Sequence, residues 1–112
     1  MSQMHLERHR ARRYPFHASI ELTDLGSETQ TKAQTSDLSL FGCHVDTLKP
    51  LSAGTKVRIK ISHRSATFEA LGKVVYARQN HGMGINFTNI EPNDQSVLDK
   101  WIAERRDPGE QR

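Results

Sequence analysis

The chain has 112 residues, 35% of them hydrophobic, with 16 Lys plus Arg against 13 Asp plus Glu, six histidines and one cysteine. That length makes one small domain and excludes a deep site between domains. No apolar run approaches the ~20 residues of a membrane helix, the N-terminal MSQMHLERHRARR lacks the apolar stretch of a signal peptide, and the lone Cys43 can form no internal disulfide and no cysteine zinc site. Neither membrane insertion nor export is therefore expected, and the expected compartment is the cytoplasm.

The chain opens on a basic arm, residues 1–13, expected to be flexible. Residues 7–13 (ERHRARR) hold four Arg against one Glu, which is the whole formal excess of +3 and leaves 12 charges of each sign elsewhere. The arm therefore sits on an electrically neutral body.

From Phe16 to Thr23 apolar and polar residues alternate, the period of a strand with one buried face. Asp24-Leu25-Gly26-Ser27 reads as a turn. Residues 29–36 (TQTKAQTS) are rich in Thr and poor in large apolar groups, which predicts an exposed or edge strand. Asp37-Leu38-Ser39-Leu40-Phe41-Gly42 breaks the alternation and ends at a glycine, predicting a shaped connection with one backbone position that tolerates no side chain. A short strand with Cys43 and Val45 on one face comes next, then a turn at 50–54 and a strand to Ser62 with Val57, Ile59 and Ile61 inward.

His63-Arg64-Ser65 turns into a long strand from Ala66 to Arg78, with a bulge expected at Gly72. Residues 79–82 close a hairpin. The last strand sets Met83, Ile85 and Phe87 on one face and Gly84 on the other, leaving room there for a close neighbour. Pro92 suits the first position of a helix whose apolar stripe is Val97, Leu98, Trp101 and Ile102, ending near Arg106. Residues 107–112 form a frayed tail. Six strands and one helix over residues 14–106 predict a mainly all-β fold, a six-stranded antiparallel barrel or sandwich with the helix covering an open end or edge.

Enzymatic readings find no support in the motifs. There is no nucleotide-binding glycine loop and no glycine-serine nucleophile elbow. The histidines are scattered; only His5 and His9 share helical spacing, without a third ligand nearby, so no metal site is expected. The alternation points Cys43 inward, as a packed thiol rather than a nucleophile.

In chain order, the Arg-rich lead into Tyr14-Pro15-Phe16, the complete DLSLFG at 37–42, the strand GKVVYAR, the strand GMGINF and the helix ending in LDKWI resemble the PilZ domain. That family comprises bacterial receptors for the second messenger cyclic di-GMP and is marked by RxxxR before the first strand and [D/N]xSxxG further along. The resemblance implies a six-stranded PilZ-type β-barrel with a C-terminal helix, no enzymatic activity and no cofactor besides the ligand. Strand phase is costly to slip, so Arg13, directly before Tyr14, takes the second-arginine position and His9 the first. The literal match Arg8-His9-Arg10-Ala11-Arg12 leaves an extra arginine before the strand.

By this resemblance the ligand-binding residues are Arg8, His9, Arg10, Arg13, Asp37, Ser39, Gly42 and Tyr76. Arginine can fork onto phosphate oxygens or guanine O6 and N7. Asp37 can accept from guanine N1 and N2, Ser39 can hydrogen-bond nearby, Gly42 lets backbone and ligand approach, and Tyr76 can stack on a base. Fixing seven arm residues costs roughly 7–14 kcal/mol at about 1–2 each, whereas a charged hydrogen bond returns about 1.5–3. Only several arginines acting together could order the arm, so a ligand-driven ordering that changes the surface offered to a protein partner is expected. The partner would belong to motility, pilus or polysaccharide machinery. Two alternatives remain: a ligand-blind adaptor of the same fold, and a nucleic-acid binder, the latter disfavoured because no aromatic platform accompanies the arginines.

Overall fold

The computed structural model describes residues 12–106. The arm expected to be flexible, apart from Arg12 and Arg13, and the tail expected to fray lie outside the described residues, as do Arg8, His9 and Arg10. Among the described residues seven strands and one helix follow in order: β1 Tyr14–Pro15, β2 Ser19–Asp24, β3 Gln30–Leu38, β4 Gly42–Asp46, β5 Lys56–His63, β6 Ala66–Arg78, β7 Gly82–Asn89 and α1 Pro92–Arg105. All pairings are antiparallel. The sheet order is β1-β3-β2-β5-β6-β7-β4, and β3 also pairs with β4, which closes β2 to β7 into a six-stranded barrel with β1 attached outside the ring. Closure pairs most of the strand edges that would otherwise template aggregation.

Alternation builds the core. Ile20 and Leu22 of β2, Val57, Ile59 and Ile61 of β5, and Phe68 and Val74 of β6 are all fully buried, each side chain stabilising by about 1.5–3 kcal/mol when removed from water. The helix caps one end of this core through Leu98, Trp101 and Ile102. Trp101 packs against Phe16 and Phe68 with ring centroids 5.2 and 6.3 Å apart. Pro92 starts the helix as expected, and Asp94 of its first turn accepts the Glu69 amide at 2.8 Å, tying α1 to β6.

Four features depart from the sequence reading. The two-residue β1 was not expected; Tyr14 and Pro15 pair with Leu38 and Asp37. The predicted strand from Phe16 begins in the ladder only at Ser19, because the buried Thr35 takes over upstream: its hydroxyl donates to the Phe16 carbonyl and accepts the Ala18 amide at 3.0 Å. β3 is an edge only in its first half, since from Gln34 onward it is bonded to β4. The disturbance near Gly72 is present, but its extra residue is Thr88 on β7, and a second bulge inserts Val75 on β6.

Candidate functional site

The sequence motifs meet on the outer face of the barrel where β3, β4, β7 and β6 lie side by side. A bulge at Ser36 sets Asp37 opposite His44. Asp37 Oδ1 accepts the His44 backbone amide at 3.0 Å, which aims the carboxylate. Arg13, just ahead of β1, forks onto it: Nη2 reaches Oδ1 at 3.1 Å and Nε reaches Oδ2 at 3.4 Å. The two side chains are 48% and 31% exposed, so the pair is worth only about 0.2–1 kcal/mol. A ligand that offers either partner a charged hydrogen bond, worth about 1.5–3 kcal/mol, can therefore displace or share it.

Ser39 and Gly42 are placed differently. Ser39 is buried, and its hydroxyl accepts the amides of Phe41 at 3.1 Å and Gly42 at 3.2 Å while lying 3.4 Å from the Gly42 carbonyl. A guanine-edge role would require that hydroxyl to leave the turn it organises. Gly42 does admit a close approach, but by the neighbouring strand: a Cβ there would stand 2.1 Å from the Ile85 carbonyl oxygen. These two motif residues build the loop that carries Asp37 into place.

Tyr76 reaches the same face because the Val75 bulge brings it opposite Gly84. Its ring lies over that glycine so closely that a Cβ on Gly84 would stand 2.1 Å from Cε2; this is the close neighbour that the bare position foretold. Tyr76 is 43% exposed. Its hydroxyl is bonded to His44 Nδ1 at 2.9 Å, and His44 Nε2 lies 3.7 Å from Asp46 Oδ1. His44 was not singled out from sequence. Alternation alone turns it outward, but its proximity to Tyr76 depends on β4 and β6 flanking β7 in the closed barrel.

Beneath the site, Cys43 is fully buried and its thiol is pushed up to about 12, first by burial and then by the Asp37 charge, with Arg13 opposing. It is a packing residue with no thiolate at neutral pH. Among the described residues no group of three or more His, Cys, Asp or Glu could hold a metal ion, and no helix is long and apolar enough to cross a membrane.

Comparison with known proteins agrees with this architecture. The chain is similar in fold to the Bacillus subtilis inhibitor of motility MotI/DgrA, with TM-score 0.67, 16% identity and 86% of this chain aligned; it spans about half, 49%, of that protein. It is similar to the PilZ domain of CeSA from a cellulose-synthesizing bacterium, with TM-score 0.67, 20% identity, and 84% and 97% of the two chains covered. The PilZ domain of Escherichia coli YcgR, solved with cyclic di-GMP, matches with TM-score 0.67, 19% identity, and 86% and 89% coverage. No curated protein sequence matches significantly. The sequence model of the PilZ domain matches residues 7–104, nearly the whole chain, which therefore belongs to the PilZ domain family.

Proposed function

We propose that this protein is a receptor for cyclic di-GMP that relays second-messenger level to a protein partner without catalysing a reaction. The observation that carries the reading is the partly exposed Arg13–Asp37 fork on the same outer face as the half-exposed Tyr76, the two joined through His44. Guanine presents acceptors O6 and N7 next to donors N1 and N2, so a guanidinium and a carboxylate side by side offer the complementary pattern. Tyr76 supplies a face for stacking. Ser39 and Gly42 contribute by shaping the loop that aims Asp37.

In this reading Arg8 and Arg10 engage phosphates and His9 occupies the first-arginine position, where a neutral imidazole donates one hydrogen bond in place of a permanent fork. The arm ends at Arg13, so ligand drawn onto Arg13 would draw the arm with it, and the altered surface is what a partner reads. The YcgR domain, solved with cyclic di-GMP, and the motility inhibitor support this class of ligand and of downstream machinery; pilus and polysaccharide machinery are the other candidates. A second reading, a ligand-blind adaptor, is favoured by one feature: Arg13 and Asp37 already satisfy each other within the chain.

Isothermal titration with cyclic di-GMP, with GTP and cyclic di-AMP as controls, separates the two. Selective saturable binding is the expected result, and its stoichiometry counts ligand molecules per chain. Absence of binding by calorimetry and by equilibrium dialysis would replace the receptor with the adaptor.

A further inference from the structure

We infer that His44 is the positioning residue of this ligand site, holding the Asp37 carboxylate through its backbone and the Tyr76 ring through its imidazole. The inference rests on the receptor reading above and adds to it a residue outside both motifs. A tyrosine on an outer barrel face is ordinarily free to swing about its side-chain torsions, and a ring that must be immobilised on binding contributes less affinity than one already in place. Here the ring is restrained on two sides. Gly84 lies beneath it without a side chain, and His44 Nδ1 holds its hydroxyl at 2.9 Å.

His44 is itself fixed. It pairs with Gly84 across the β4–β7 ladder, and its amide donates to Asp37 Oδ1. A Cβ on Gly82 would stand 2.8 Å from its Nε2, so a second bare position on β7 makes room for the imidazole as Gly84 does for the phenol. One residue thus joins the group proposed to read a guanine edge to the ring proposed to stack on its face. The two parts of a base are recognised in a fixed relation only if that joint is stiff.

The experiment is a double-mutant cycle on cyclic di-GMP affinity, using the full chain with His44→Ala, Tyr76→Phe and their combination, and His44→Asn as a rescue. Tyr76→Phe keeps the stacking face and removes only the hydroxyl. Each single change is expected to weaken binding by about fivefold to tenfold, the lower end of one base-stacking contact. The double variant should be no weaker than His44→Ala alone, because both changes cut the same bond. His44→Asn, which keeps a hydrogen-bonding group near the Nδ1 position, should recover most of the loss. Should His44→Ala unfold, Tyr76→Phe in the wild-type and His44→Asn backgrounds completes the cycle. Wild-type affinity in the single variants, or losses that multiply in the double variant, would overturn the positioning role while leaving the receptor intact. Failure of the unsubstituted protein to bind would overturn both.

Discussion

Gly42 stands so close to the backbone of Ile85 that a Cβ on it would lie 2.1 Å from the Ile85 carbonyl oxygen. The final residue of the Asp-x-Ser-x-x-Gly motif is therefore constrained by the β4–β7 contact, and Ser39 by its own turn, while Asp37 alone of the three presents a polar group outward. The motif divides into a scaffold and a reader, and the two are separable by experiment.

Scaffold substitutions should act on stability. Gly42→Ala forces β4 from β7 and is expected to cost about 1–3 kcal/mol, as overpacking does. Ser39→Ala leaves the amides of Phe41 and Gly42 without their acceptor, with a cost of similar size. Urea unfolding measures both. A Gly42→Ala domain as stable as the parent would mean that β4 and β7 can part freely.

Reader substitutions should act on binding. Arg13→Ala and Asp37→Asn remove a partly exposed ion pair, so each should change unfolding free energy by less than about 1 kcal/mol. Each should weaken cyclic di-GMP binding at least tenfold, the equivalent of one charged hydrogen bond of about 1.5–3 kcal/mol. Calorimetry on both variants decides this, and parent-like affinity in both would remove the pair from the ligand site.

Acid should loosen the helix end of the barrel. His63 packs 4.6 Å from Phe16 and edge-on to Trp101 at 5.7 Å between ring centroids, and its Nε2 is buried without a hydrogen-bond partner. Burial, then the Arg64 and Arg105 charges, hold its pKa below the ordinary histidine value, with Glu104 opposing. The unfolded chain takes the proton near pH 6.5 and the folded one only at lower pH. The neutral ring's contribution is therefore full above that value and declines as pH falls towards the folded-state pKa. Thermal melts at pH 7.5 and 5.5 should show a smaller acid-induced drop for His63→Phe than for the parent; equal drops would clear His63 of this role.

Cys43 should be silent towards alkylating and disulfide reagents. With the thiol buried and pushed up to about 12, native protein at pH 8 should label only at the rate at which β3, β4 and β7 open, and denatured protein at once. Fast native labelling would show that this wall of the barrel opens readily.

Much of the fold could be read from local periodicity. Alternation along 57–61 names the inward residues of β5, and the stripe of Val97, Leu98, Trp101 and Ile102 names the core-facing side of the helix, its last three members buried and Val97 partly so, because each choice depends on neighbours two to four positions away. Thr35 and Val75 escaped the same reading. A buried threonine looks like any strand threonine until the segment it fastens, Phe16 to Ala18, is in place. The Val75 bulge has no composition of its own.

The sequence by itself determined which residues face inward, where the helix begins, and that a basic lead and an Asp-x-Ser-x-x-Gly loop belong to one domain. Only the tertiary structure decided which of them touch. Arg13 meets Asp37 across 24 positions and His44 meets Tyr76 across 32. Neither meeting is encoded in a local period. Closure of β3 onto β4 sets the neighbours, and bulges at Ser36 and Val75 set the phase. Packing, by excluding a side chain at Gly42 and Gly84, then fixes how closely the strands and the ring approach.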